Sequence, residues 1–172
     1  MSTDTRDITR EREADAFLEG DDDENSQACK YLLFNTDDEV YGISIASVVE
    51  IIEMQRITEV PDMPEYVKGV INLRGRVIPV VDLRLRFGMA EREHDDRTCI
   101  IIVKVEGTSV GCIVDTVAEV QEIQQSNTEP APQFGASEGR NQYVSGLGKI
   151  GDGVRILIDA QKLVTQRELA GV

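Results

Sequence analysis

A single histidine, three cysteines and two strand-ending aspartates are the side chains of this sequence whose chemistry first invites a reaction. His94 stands among Glu91, Arg92, Glu93, Asp95 and Asp96, in a stretch too polar to wall a pocket. A nucleophile and histidine pair needs a base held rigidly by its neighbours, so this lone loop histidine is read as solvated. Cys29, Cys99 and Cys112 are odd in number and lack the paired spacing of zinc ligands, so they are read as free thiols. Asp82 and Asp159 each close a β-branched run and open a short amphipathic stretch, which is the place of a helix-capping carboxylate. Gly146-Leu147-Gly148-Lys149-Ile150-Gly151 has the G-x-G-x-x-G spacing of a dinucleotide loop. A strand-like run, Val154 to Ile158, follows where that loop requires a helix. Asp21, Asp23 and Asn25 open like a calcium loop, but Ser26 replaces the glycine of its turn and Leu32 its bidentate glutamate. No catalytic residue, cofactor or metal is expected.

The elements that position the remaining residues come from a repeat. At an offset of 69, Tyr31-Leu32-Leu33-Phe34 answers to Ile100-Ile101-Ile102-Val103, and Tyr41-Gly42-Ile43 to Val110-Gly111-Cys112. Val48 then matches Val117, Glu50 matches Glu119 and Pro61 matches Pro130. Eight residues enter the second copy, and at the new offset of 77 Gly69 pairs with Gly146, Val81 with Ile158 and Asp82 with Asp159. Within one copy, Lys30 to Asn35 and the alternating Tyr41, Ile43 and Ile45 flank a polar turn, Thr36 to Glu39, as a hairpin does. Ile45, Val48, Val49 and Ile52 recur at helical spacing and predict a turn or two of helix. Met54 to Val60 is expected to extend again until Pro61 stops it. Val67 to Leu73 and Arg76 to Val81 predict strands across a tight turn at Arg74-Gly75, with Pro79 at an edge or a bulge. The fold class expected is all-β with a few short helices: two pseudo-symmetric five-stranded barrels. The first barrel is placed at about 29–87, the connection at 88–97 and the second barrel at about 98–165.

What both copies keep is required by the shared fold, whereas what one copy alone has is available for another purpose. Asn72-Leu73-Arg74-Gly75 faces Lys149-Ile150-Gly151-Asp152 in the second copy, and Lys68 faces Ser145. Arginine at a hairpin tip is either a solvated charge or an interface anchor.

The stretch Lys68 to Arg84, with its Gly69-Val70-Ile71-Asn72-Leu73-Arg74-Gly75 run, resembles the CheW-like coupling proteins of bacterial chemotaxis. Tyr41-Gly42-Ile43, Val48-Val49-Glu50-Ile51 and Tyr143-Val144-Ser145-Gly146-Leu147-Gly148 carry the same resemblance, which assigns residues 29–170 to one such domain. It implies SH3-like barrels around a shared apolar core. It also implies a non-catalytic adaptor between the cytoplasmic tip of methyl-accepting chemotaxis receptors and the regulatory domain of the histidine kinase CheA. The partner-sensitive positions of the family map onto Val48, Glu50, Lys68, Gly69 and Arg74, and Asn72 joins them from the unshared turn. An equivalent adaptor of a related pathway, such as surface motility, is the alternative, and a small β-barrel enzyme a more distant one.

Charge and composition agree with a protein-binding role. A net charge of −14 and the absence of Trp disfavour nucleic acid, whose binding draws on Lys and Arg. Residues 1–28 hold ten acidic side chains against three arginines and almost nothing large and apolar, so an acidic disordered tail is expected there. Apolar runs such as Cys99 to Val103 reach five residues, where a membrane helix takes roughly 20. The N-terminus has no apolar signal core, so a cytoplasmic protein is expected, recruited to membrane arrays through its partners.

Overall fold

The computed structural model describes residues 28–131 and 140–164. The acidic stretch expected to be disordered lies outside these residues except for Ala28, which opens the first strand. A hairpin of β1 (Ala28–Thr36) and β2 (Glu39–Ser44) leads through one 3-10 turn (Ile45–Ser47) into β3 (Val48–Glu53). A second hairpin, β4 (Val67–Leu73) and β5 (Arg76–Asp82), runs into the short helix α1 (Leu83–Arg86). The second copy follows the same order: β6 (Cys99–Val105), β7 (Thr108–Val114), β8 (Thr116–Gln124), β9 (Thr128–Glu129), β10 (Val144–Ile150), β11 (Gly153–Ile158) and α2 (Ala160–Leu163). Asp82 and Asp159 cap the two helices, each accepting the N–H two residues on at 2.9 Å, from Arg84 and Gln161.

The all-β class and the two pseudo-symmetric units stand, but each copy does not close its own barrel. One sheet runs β3-β6-β7-β5-β4 and the other β8-β1-β2-β11-β10-β9. Each copy's first hairpin is therefore inserted among the later strands of the other copy. The ranges 29–87 and 98–165 delimit the repeats and not the barrels. Burial gives the reason. Leu32, Leu33 and Phe34 are all buried, as are Ile100, Ile101, Ile102 and Val103. Neighbouring residues of a strand point to opposite faces, so these strands need cover on both. The exchange provides it through parallel pairings of β2 with β11 (Ile43 opposite Ile158) and β5 with β7 (Val81 opposite Cys112). One core then serves both sheets, with Phe34, Tyr41, Phe87 and Tyr143 forming a chain of ring contacts 5.7, 5.1 and 5.8 Å apart through it. A second cluster, including Ile71, Ile78, Ile100 and Ile102, fills the five-stranded sheet.

Three local expectations are corrected. The helix expected over Ile45 to Ile52 is a single 3-10 turn followed by β3, because β-branched Val48, Val49, Ile51 and Ile52 favour extended backbone. Met54 to Val60 forms no strand and touches the sheet by one bridge, Thr58 to Val70. Pro79 lies neither at an edge nor in a bulge of its own. Val70, opposite it, gives both backbone groups to Thr58, and pairing of β5 with β7 begins only at Val80. No partner therefore asks Pro79 for a donor.

Candidate functional site

The β4–β5 turn is two residues long, since Leu73 pairs with Arg76, and both turn residues have positive φ, 54° at Arg74 and 82° at Gly75. Such a turn suits the twist of a hairpin but is strained for any residue with a side chain at the first position. Asn72 Oδ1 accepts the Gly75 N–H at 2.9 Å and holds the turn. Arg74 then reaches across to β3, donating through Nη1 and Nη2 to the two carboxylate oxygens of Glu50, both at 2.8 Å. β3 and β4 are the two outer strands of their sheet, so this forked pair spans the seam between the two edges of that sheet, beside the Thr58 to Val70 bridge. The hydrogen bond from Arg74 holds the Glu50 carboxyl below its usual range, and the same bond raises the guanidinium. Arg74 is 70% exposed against 28% for Glu50. Glu50 thus holds the guanidinium in a two-point grip while most of the arginine side chain stays open to solvent.

Glu50, Asn72 and Arg74 are therefore brought together, and the other expected positions are not. Lys68 lies on the outward face of β4 with Asn72, but its ammonium pairs with Glu91 of the connecting loop, which raises its pKa. Val48 is half-buried against the shared core. Gly69 is buried, and a side-chain carbon there would stand 2.1 Å from Thr58 O. In the second copy the turn position of Arg74 is Gly151, also with positive φ, 58°. The hairpin therefore forms without an arginine.

Sequence reasoning passed over a set of exposed apolar side chains beside this seam. Val49 and Ile51 on β3 and Val77 on β5 stand open, as do Val120 and Val154, the counterparts of Ile51 and Val77 in the other sheet. Reading residues 45–52 as helix hid the first two, and the alternation of β3 was the signal that would have found them. Glycines Gly146 and Gly148 lie within β10, where Glu129 O and Ile123 crowd them, and β11 follows. That is sheet packing and not a phosphate loop. Among the described residues no His, Cys, Asp and Glu side chains gather as metal ligands would. Among them also, no helix is long and apolar enough to cross a membrane.

Residues 30–168 match the model of the CheW-like domain. The chain belongs to the CheW-like family. It is 35% identical over 141 residues to the chemotaxis protein CheW of Klebsiella aerogenes, covering 82% of this chain and 84% of that protein. It is 41% identical over 104 residues to the chemotaxis protein CheW of Bacillus subtilis, covering 60% of this chain and 67% of that protein. The crystal structure of scaffolding protein TtCheW from Thermoanaerobacter tengcongensis superposes with a TM-score of 0.73 at 38% identity, over 78% of this chain and 91% of that one. As a CheW-like protein this chain is a non-catalytic chemotaxis adaptor, a scaffold whose work is done through binding surfaces.

Proposed function

We propose that this chain couples the cytoplasmic tip of a methyl-accepting chemotaxis receptor to the regulatory domain of the histidine kinase CheA, with the Glu50, Asn72 and Arg74 seam as one of its contact surfaces. The observation that carries the reading is the asymmetry of the turn. A strained, exposed, carboxylate-aligned arginine stands where the sister hairpin needs only glycine. Lys68 is a second cation, on the outward face of β4, the strand that leads into that turn, while Val48 and Gly69 support the surface from within.

Coupling then runs through binding free energy alone. The receptor's state reaches the kinase only if contacts on the adaptor differ in strength between the kinase-on and kinase-off arrangements. No proton or bond is moved on this chain. In the cell it is placed on the cytoplasmic side, held at receptor arrays by its partners. The direct test is co-sedimentation of the full chain with receptor-tip assemblies and with the isolated kinase regulatory domain. Binding to both, and kinase activity that follows the receptor only when the chain is present, is expected. Binding to neither would overturn the reading.

A further inference from the structure

Three consecutive residues of the connecting loop hold three different elements. Ala90 O accepts a hydrogen bond from Arg84 Nε on α1 at 3.0 Å. Glu91 pairs with Lys68 on β4. Arg92 Nη1 reaches Asp115 Oδ2, at the corner between β7 and β8, at 3.4 Å. That carboxylate is the centre of a clasp. Asp115 Oδ2 also accepts Arg84 Nη1 and the backbone N–H of Asp37, each at 2.8 Å, and Arg84 Nη2 stands 3.4 Å from Asp37 Oδ1. Asp37 is the positive-φ residue at the tip of the β1–β2 hairpin, which lies in the six-stranded sheet, whereas β4 lies in the five-stranded one. The loop thus ties the outward face of one sheet to a hairpin tip of the other.

The repeat satisfies the equivalent backbone donor in another way. At the equivalent tip, Glu106 has φ 50° and gives its N–H to Gln161 Oε1 at 2.9 Å, and Gln161 Nε2 reaches Lys104 O at 2.9 Å. Gln161 stands where Arg84 does at the offset of 77, and Ala46 stands where Asp115 does at the offset of 69. At that tip a neutral amide meets the backbone N–H. The other tip meets a carboxylate and is wired to Lys68.

We propose that residues 90–92 act as a strap, coupling occupancy of Lys68 in one sheet to the clasp on the β1–β2 tip in the other. Residues 90–97 are exposed throughout, so polar contacts and not core packing hold the loop, and such segments open at low cost. A partner carboxylate that takes Lys68 releases Glu91, and the neighbouring anchors at Ala90 and Arg92 shift with it. Coupling of this kind is reciprocal, so loosening the tip also weakens the hold on Lys68. The role of the strap in signalling rests on the reading that Lys68 meets a partner, whereas its wiring is tested on the free chain.

The reporters are two backbone amides: Asp37, bonded to the Asp115 carboxylate, and Glu106, bonded to the Gln161 side-chain amide. Solvent-exchange NMR is applied to the full chain and to its Glu91→Gln, Lys68→Met and double variants. Each single variant is expected to speed exchange at Asp37 by about threefold or more, the double variant no further, with Glu106 unchanged. An unmoved Asp37 in Glu91→Gln overturns the strap, as does acceleration of both amides together. A response to Glu91→Gln that Lys68→Met does not share overturns it too. No partner enters these readouts, so the strap and the partner reading fail separately.

Discussion

Gly69→Ala separates a contact residue from a residue the backbone requires. The added methyl carbon would lie 2.1 Å from Thr58 O, 2.7 Å from Thr58 C and 3.0 Å from Glu59 Cα, at a φ of 143°. All three obstacles are backbone, so no rotamer change relieves them. The chain at 58–59 has to retreat, and the two hydrogen bonds between Thr58 and Val70, both 2.8 Å, are lost. At about 0.5–1.5 kcal/mol net for each bond, with about 1 kcal/mol more for a side chain at positive φ, the cost is about 2–4 kcal/mol. For a chain of this size that lowers the melting temperature by roughly 5–15 °C. Gly146→Ala is the internal control. Its methyl would meet Glu129 O at 2.7 Å, its next neighbour is 3.7 Å away, and its φ is ordinary, so its loss should be clearly smaller. Thermal melting followed by circular dichroism measures both. A Gly69→Ala melting point within a degree or two of the wild type, or Gly146→Ala as the more damaging change, would refute the reasoning. Lost partner binding in Gly69→Ala then reflects a displaced segment beside the seam and not a missing contact.

Three further outcomes follow from burial and charge. Ile158→Asp puts a carboxylate at a position 3% exposed in the shared core, which costs several kcal/mol out of the roughly 5–15 that hold a domain folded. Insoluble or unfolded protein is expected, and a soluble, cooperatively melting variant would show the inward face of β11 to be misassigned. Burial pushes the Cys112 thiol up to about 12, so alkylation at pH 8 followed by mass spectrometry should label exposed Cys29 and spare Cys112 until denaturant is added. Burial also raises the Asp82 carboxyl, against the hydrogen bond from the Arg84 N–H. An acid with a raised folded-state pKa weakens the fold as pH climbs from its unfolded value through the raised one. Asp82→Asn, which keeps a capping oxygen, should therefore melt at or above the wild type at pH 7, with the advantage shrinking toward pH 4. A lower melting point at pH 7 alone would mean that the ionised cap outweighs its desolvation.

Much of this was legible in the sequence where local chemistry decides the structure. The β4–β5 hairpin follows from two β-branched runs around Arg74-Gly75, and Asp82 and Asp159 announce their helices because a carboxylate caps free N–H groups wherever it stands. The repeat exposed Arg74 as the residue one copy has and the other lacks. It could not show which copy's strands each hairpin joins, since the same pattern of buried residues is met by either partner. The segment from Ile45 to Ile52 satisfies both helical and extended spacing, and only its β-branched composition tips it to a strand. Arg84, Asp37 and Asp115 were out of reach for a different reason. Their contacts join residues 31, 47 and 78 positions apart, and no periodicity links such distances.

The central claim is that Arg74 serves an interface and that the fold does not depend on it. Wild-type chain and Arg74→Ala are titrated separately against the receptor tip and the kinase regulatory domain, with melting points recorded alongside. Loss of roughly 30-fold or more in affinity for one partner is expected from an anchor in a desolvated contact. The melting point should move little, because an exposed ion pair adds little to stability. Unchanged affinity for both partners in a folded variant would contradict the claim and leave Arg74 a solvated charge.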